Sequence, residues 1–191
     1  MKNQIKSKAD PHSRLTLIIA AALCIAMSYG LSYIKLFSMP AGGSVTPASM
    51  LPLSLFAYLF GPWWGMLAGA VYGVLQLLQR PEIVHWAQLL LDYPVAFAAI
   101  GLAGTTRRMR FRDGFAARLG LPLGTIIGGF VRFVCHTLSG AIFFAEYAGE
   151  QNAWLYSLIY NGAYLGVDLA ICAVVAFIIP TQRISRQLAV Q

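Results

Sequence analysis

Three polar side chains lie inside long apolar runs of the sequence, and their chemical types suit ligand recognition. They are the carboxylate of Asp92, the imidazole of His136 and the amide of Asn161. A charged group deep in a lipid bilayer costs at least ~2.5–3.5 kcal/mol unless it is paired or solvated. If these runs cross a membrane, the three groups must either be satisfied within the protein or serve a binding site.

The positions of these groups along their runs predict one common depth. Each lies eight or nine residues from the nearer end of its run, counted from Ile83, Ala145 and Ala153 respectively. At about 1.5 Å per helical residue, this distance is ~12–14 Å. A carboxylate, an imidazole and an amide at one level on three helices predict a pocket. The orientation indicated by the positive charges, described below, makes this pocket open to the exterior. An amide such as that of Asn161 also joins neighbouring helices, and the sequence leaves both interpretations open.

Helical spacing places further residues beside these three. His136, Gly140 and Phe144 recur at i, i+4 and i+8, so they share one helix face. The glycine between an imidazole and an aromatic ring predicts a slot for a flat ring. His85, Gln88 and Asp92 recur at i, i+3 and i+7, which predicts one polar face on the preceding helix.

A single carboxylate among aromatic side chains favours a small, flat, positively charged ligand. Aromatic faces attract cations by ~0.5–2 kcal/mol each. The aromatic residues expected near this level are Tyr93, Phe144, Trp154 and Tyr156. Two more tyrosines, Tyr160 and Tyr164, continue the stripe that Tyr156 begins, and we interpret them as packing residues.

The composition is that of an integral membrane protein. Of the 191 residues, 58% are hydrophobic and 11% are charged, and the mean hydropathy is +0.66. Soluble domains carry ~25% charged residues. The three cysteines lie inside apolar runs without disulfide or metal-ligand spacing, so we expect reduced packing residues and no metal site. These features predict a single all-α membrane domain.

Five apolar runs supply the helices of this domain. Four are long enough to cross ~30 Å of hydrocarbon, namely Leu15–Ile34, Ile83–Gly104, Leu119–Ala145 and Ala153–Ile179. The remaining run, Met50–Gln79, has 30 uncharged residues, which is too long for one crossing and short for two. It contains the turn signal Gly61-Pro62. We therefore expect a hairpin of two helices, the first of which begins near Ser44.

The positive charges indicate the number of crossings and the orientation. Lysine and arginine residues cluster before the first run, before the fifth expected crossing and after the last run; they are Lys2, Lys6, Lys8, Arg14, Arg107, Arg108, Arg110, Arg112, Arg118, Arg183 and Arg186. Because such clusters remain in the cytoplasm, the first two must be separated by an even number of crossings. The sequence thus predicts six transmembrane helices with cytoplasmic N- and C-termini.

This topology divides the chain into three parts. Residues 1–14 form a polar N-terminus, residues 15–180 form the six-helix bundle and residues 181–191 form a tail. The net charge of +7 then reflects orientation and the anionic inner leaflet, and we expect no nucleic-acid partner.

Two other functional classes are weaker. The chain has no HExxH or GxSxG motif and no second carboxylate expected at the depth of Asp92, which argues against an enzyme. An autonomous transporter coupled to protons through Asp92 would usually carry an inverted repeat, which the sequence does not show. The intramembrane charges Arg132 and Asp168 either form a structural ion pair or have a functional role.

Three segments together resemble a known family. They are MPAGGSVTPASMLPL at 39–53, QLLLDYPVAFAAIGLAG at 88–104 and RFVCHTLSGAIFFAEYAGEQNAWLYSLIYNG at 132–162. With them, residues 15–180 resemble the thiamine-specific S components of energy-coupling-factor (ECF) transporters, the ThiT (YuaJ) family. The resemblance implies a multi-pass protein of a prokaryotic cell membrane that captures thiamine with high affinity. The alternatives are an S component for another vitamin such as riboflavin, or an autonomous proton-coupled vitamin transporter.

The resemblance also implies residue roles. The substrate-binding positions of the family fall on Asp92, Tyr93, His136, Gly140, Phe144, Tyr156 and Asn161. The chain departs from some members by having Asp92 in place of glutamate and Phe144 in place of tryptophan. It also has Gly42–Thr46 where some members have tryptophan and glutamate in the first outer loop, and we expect this loop to be a flexible lid.

The energy for transport must come from other subunits. The sequence has no GxxxxGK[ST] motif for ATP hydrolysis by a P-loop. The resemblance implies a transmembrane coupling subunit and two ATPase subunits as partners, and no cofactor on this chain. Small residues four apart allow helices to approach closely, so Ala22 and Ala26 are the expected docking positions; without the resemblance they would be interpreted as internal packing.

Overall fold

The computed structural model describes residues 11–40, 42–79, 81–111 and 114–188. The basic residues Lys2, Lys6, Lys8 and Arg112 lie outside these ranges. The α-helices are α1 (Pro11–Tyr33), α2 (Leu51–Phe60), α3 (Pro62–Gln76), α4 (Trp86–Leu90), α5 (Ala96–Ala98), α6 (Phe115–Phe143), α7 (Ala153–Ile178) and α8 (Thr181–Gln187). Two short strands, β1 (Phe37–Ser38) and β2 (Ser44–Val45), pair antiparallel between α1 and α2.

The stretch that carries Asp92 is one continuous helical rod with changing geometry. It runs from α4 through a π-helical turn at Leu91–Val95 and α5 into a 3₁₀ helix at Ala99–Phe111. Proline has no N–H and displaces the preceding turn of an α-helix, so the wider π turn accommodates Pro94. The turn therefore places Asp92 and Tyr93 where the regular helix is interrupted.

Neighbouring rods run antiparallel, and glycines bring them close together. On α3, Gly65, Gly69 and Gly73 recur every four residues along the rod that begins at α4. A methyl group at Gly69 would overlap the carbonyl of Phe97, and one at Gly73 would overlap the carbonyl of Tyr93. This contact places α3 directly against the π turn.

Four described stretches are long and apolar enough to cross a membrane, as predicted. They are Arg14–Tyr33, Trp86–Met109, Phe115–Phe143 and Ala153–Ile178. The prediction that a helix begins near Ser44 is wrong, because Ser44–Val45 is a strand and α2 begins only at Leu51. The ten residues of α2 extend ~15 Å and the fifteen of α3 extend ~23 Å.

The short helix α2 is enclosed by the rest of the protein. Eight of its ten residues are buried, including Leu53, Phe56 and Tyr58. They pack with Tyr72 of α3 and Ile100 of the 3₁₀ helix in the main hydrophobic core. Because nearly every face of α2 meets protein, its sequence is apolar apart from Ser54, whose hydroxyl donates to the Met50 carbonyl, and it shows no helical periodicity.

The outer surface of the bundle is apolar, as expected for contact with lipid. On α1, the residues that pack inward include Leu17, Cys24 and Ser28. Ala22 and Ala26 lie on the exposed side of the helix. Their interpretation as internal packing is therefore wrong.

One end of the bundle carries arginine residues. At this end, the Arg107 guanidinium lies beside Gly61, in the turn between α2 and α3, and Arg118 lies in the first turn of α6. The 3₁₀ helix ends at Phe111 and α6 begins at Phe115. Arg107 and Arg118 therefore lie on these two helices, which only three residues of the sequence separate. The β-hairpin, residues 77–79 and 81–85 and the connection 144–152 lie at the opposite end.

Candidate functional site

A cavity of about 610 Å³ opens at the end of the bundle opposite Arg107. Its wall is built from the β-hairpin, Gln79 and Glu82 of the connection before α4, the π turn, the C-terminal part of α6 and the N-terminal half of α7. All seven positions expected to bind substrate lie along it: Asp92, Tyr93, His136, Gly140, Phe144, Tyr156 and Asn161.

The carboxylate of Asp92 is held by three hydrogen bonds. Its Oδ1 lies 3.0 Å from His136 Nδ1. Its Oδ2 accepts from Ser139 Oγ at 2.6 Å and from Gln88 Nε2 at 2.8 Å. These bonds offset the cost of placing a carboxylate inside an apolar helix, and they fix its orientation towards α6.

The imidazole of His136 connects this carboxylate to a guanidinium. Arg132 Nε donates to His136 Nε2 at 3.3 Å, and the Arg132 guanidinium carbon lies 4.3 Å from the Phe97 ring centroid. Because arginine only donates, Nε2 must accept, and the hydrogen-bond pattern assigns the ring proton to Nδ1. His136 is then a neutral imidazole that donates to Asp92.

Asp168 has a different partner from the one considered above. This buried carboxylate accepts from the Thr46 amide at 2.9 Å and from Thr46 Oγ1 at 2.8 Å through its Oδ1. The only salt bridge between described residues joins His136 and Asp92, so the hypothesis of an Arg132–Asp168 ion pair is wrong. Asp168 instead anchors the end of the β-hairpin to α7.

The hairpin covers the cavity and is attached to α7 at its tip as well. Tyr160 Oη donates to the Gly42 carbonyl at 2.8 Å. Gly43 lies directly over the Tyr164 ring, where a Cβ would approach the ring carbons to 2.7 Å. Its φ of +80° also favours glycine. The segment predicted as a loop lid is therefore a strand hairpin with defined attachment points.

Asn161 makes the interhelical contact that the sequence left open. Its Nδ2 donates to the His136 carbonyl at 3.3 Å and to the Ser157 carbonyl at 2.9 Å. Its Oδ1 accepts from Tyr164 Oη at 3.0 Å. The residue thus joins α7 to α6 and also faces the cavity.

The close packing of α6 against α7 requires a glycine at position 140, which the sequence did not indicate. A methyl group here would overlap the hydroxyl of Ser157 on α7. That hydroxyl donates to the Thr137 carbonyl at 2.8 Å, so the two helices are in close contact at this point. The sequence predicts a slot for a ligand ring as the explanation of this glycine. That explanation is wrong, because a Cβ at Gly140 would point at Ser157 of α7.

Aromatic rings line the outer part of the cavity in two stacked pairs. Phe144 stacks on Tyr147 with centroids 5.9 Å apart, and Tyr156 stacks on Tyr160 at 5.7 Å. Tyr160 and Tyr164 line the cavity in addition to packing. Trp154 is 53% exposed and lies outside the cavity wall, so its predicted place at the site is wrong.

Sequence reasoning missed two carboxylates of the cavity wall. Asp168 and Glu82 both line it with Asp92, so the expectation of a single carboxylate is wrong. Glu82 lies in the connection before α4, outside the helices, and no spacing signal relates it to the other residues. Tyr147 Oη donates to Glu82 Oε1 at 2.6 Å, and this interaction raises the pKa of Tyr147 above its usual value.

The chain is similar to known membrane transport proteins in sequence and in fold. It is 33% identical over 168 residues to thiamine transporter ThiT of Bacillus subtilis, covering 84% of this chain and 85% of that protein. It is 30% identical over 161 residues to thiamine transporter ThiT of Lacticaseibacillus paracasei, covering 79% and 80% respectively. The solved structure of ThiT from Listeria monocytogenes has the same fold, with a TM-score of 0.70, 23% identity and coverage of 92% of this chain and 97% of that one.

The family assignment follows from the extent of these matches. The family model described as thiamine transporter protein matches residues 18–187, which include every residue that lines the cavity. This family comprises transporters and not enzymes, and its apolar helices identify a membrane protein. The chain belongs to the thiamine transporter protein (Thia_YuaJ) family.

Proposed function

We propose that this protein captures thiamine outside a bacterial cell with high affinity and serves as the S component of an ECF transporter. The observation that carries the proposal is that all seven expected positions converge on one cavity. The names of the two bacterial relatives support thiamine as the substrate.

The chemistry of the cavity suits the two rings of thiamine. Its aminopyrimidine ring presents both donors and acceptors, which match the polar groups of Asp92, His136 and Asn161 at the inner end. Its thiazolium ring is flat and permanently positive, which suits the stacked aromatic pairs nearer the mouth. Tyr93 follows Asp92 in the π turn at the inner end, and its Oη accepts from the amide of Glu82 near the mouth at 3.2 Å. It therefore connects the two regions.

The proposed topology has six crossings with both termini in the cytoplasm. It is supported by the antiparallel arrangement of successive helical rods and by the position of Arg107 and Arg118 at the end opposite the cavity. Positive charges favour the cytoplasmic side, so the cavity would open to the exterior. The short helices α2 and α3 would cross as a pair, with α2 enclosed by the other rods and α3 presenting an apolar face, including Trp63, Leu67 and Val71, to lipid.

Transport would require a transmembrane coupling subunit and two ATPase subunits. The absence of a P-loop motif from the sequence supports this division of labour. We propose that α1 contacts the coupling subunit through Ala22 and Ala26, because small side chains on an exposed face permit close helix packing.

Ligand titration of the purified protein tests the proposed substrate. We expect saturable binding of thiamine by isothermal titration calorimetry and no saturable binding of riboflavin over the same concentrations. Binding of riboflavin alone would assign the protein to another vitamin.

Uptake assays test the proposed coupling. Thiamine uptake should require co-expression of the coupling subunit and ATPases in cells that lack them. Uptake by the protein alone, collapsing when the proton gradient is removed, would instead support an autonomous proton-coupled transporter.

A further inference from the structure

The carboxylate of Glu82 stands at the mouth of the cavity, where three parts of the structure meet. Its Oε1 accepts the 2.6 Å hydrogen bond from Tyr147 in a short 3₁₀ turn, Ala145–Ala148, that follows α6. Its Oε2 is directed towards the hairpin tip, 3.9 Å from the point where a Cβ on Gly42 would lie. Glu82 is therefore part of the cavity wall, although it belongs to a connection between helices.

The backbone of Glu82 is fixed from the other side. Its amide donates to Tyr93 Oη at 3.2 Å, and its carbonyl accepts from Gln88 Nε2 at 3.0 Å. Gln88 is buried and also donates to Asp92, so one amide side chain holds both the Asp92 carboxylate and the backbone of Glu82. This arrangement positions the negative charge of Glu82 before any ligand arrives.

The three carboxylates of the cavity differ in how far protein donors already occupy their oxygens and in how close they lie to the aromatic rings at the mouth. Both oxygens of Asp92 accept hydrogen bonds from protein side chains. Asp168 is buried and receives both Thr46 donors on one oxygen. Glu82 is the carboxylate next to the stacked rings of Phe144 and Tyr147.

We propose that Glu82 is the counter-ion of the thiazolium ring and thereby selects for a positively charged ligand. This inference rests on the proposed function. The charge of a thiazolium ring comes from a ring nitrogen that has no N–H, so the ring is recognised by a nearby negative charge and by aromatic faces rather than by a hydrogen bond to that nitrogen. Glu82 and the Phe144–Tyr147 pair supply both at the mouth. The ligand's aminopyrimidine ring would then lie deeper, towards Asp92.

The test compares thiamine with deazathiamine, a neutral analogue in which carbon replaces the charged ring nitrogen. Both are titrated against the unaltered protein and Glu82→Gln, which retains an acceptor for Tyr147 but removes the charge. We expect thiamine to bind about tenfold more weakly to the variant, equivalent to ~1.4 kcal/mol, while deazathiamine binds equally to both proteins. Glu150→Gln is the matched control, because Glu150 is exposed and lies outside the cavity wall, and it should change neither affinity.

The outcomes separate a charge effect from a structural effect. Equal weakening of both ligands, or an unchanged preference for thiamine, would overturn the inference. Should Glu82→Gln fail to fold, Glu82→Asp provides the second test, because it keeps the charge and should keep the preference for thiamine over deazathiamine. Failure of the unaltered protein to bind thiamine would overturn the proposed function itself, and it is recognised before any variant is measured.

Discussion

Replacement of Asp92 by asparagine tests the centre of the site most directly. Asparagine has the same shape, but one oxygen becomes an NH₂ group that can only donate. The remaining oxygen can keep the bonds from Ser139 and Gln88, which leaves the new NH₂ facing the N–H of His136 Nδ1. His136 cannot simply move its proton, because Arg132 donates to its other nitrogen.

The expected cost follows from these contacts. Loss of the His136 bond removes ~1.5–3 kcal/mol, and each remaining bond weakens towards the ~1 kcal/mol of a neutral pair. Release from burying a charge offsets part of this loss, because the Asp92 side chain is only 14% exposed. We expect a net fall of ~1–3 kcal/mol in the free energy of unfolding, which a domain stable by ~5–15 kcal/mol survives.

Thiamine affinity should fall further than this change in the fold requires. We expect a loss of at least ~1.5 kcal/mol, which is more than a tenfold rise in Kd, since the ligand loses a charged acceptor and His136 loses its orientation. Calorimetric titration of the folded variant measures the change. Ser139→Ala is the control, because it removes the 2.6 Å bond and leaves the charge and the His136 contact in place. Equal thiamine affinity in Asp92→Asn and the unaltered protein would refute the reasoning.

Three further predictions concern the parts around the site. Asp168→Asn should release the hairpin by weakening both Thr46 bonds, raising the thiamine dissociation rate about fivefold or more in stopped-flow fluorescence, given ~1 kcal/mol lost from charge-assisted bonds; an unchanged rate would contradict the anchoring role. Gly140→Ala should lower the melting temperature through overlap with the Ser157 hydroxyl, and the added change Ser157→Gly should restore part of it; lack of rescue would place the strain elsewhere. Ala26→Trp should block uptake by the assembled transporter while thiamine binding persists in detergent; loss of binding would show that this face of α1 supports the fold.

The sequence determined the elements that follow from local rules. An apolar run of constant rise has a length that can be counted, so four long helices were predicted and are present. Counting from the helix ends also brought Asp92, His136 and Asn161 to one level, where the structure connects them through hydrogen bonds. A carboxylate inside an apolar run indicated in advance that partners must exist.

The tertiary structure alone decided which partners these are. Asp168 faces Thr46 and not Arg132, and Glu82 reaches the cavity from a connection, because the rotation of each helix and the path of each loop depend on contacts distant in sequence. Gly140 faces Ser157, seventeen positions away along the chain and on another helix, for the same reason. Residue type and spacing fix what a side chain is able to do, whereas only the packing of the helices fixes what it meets.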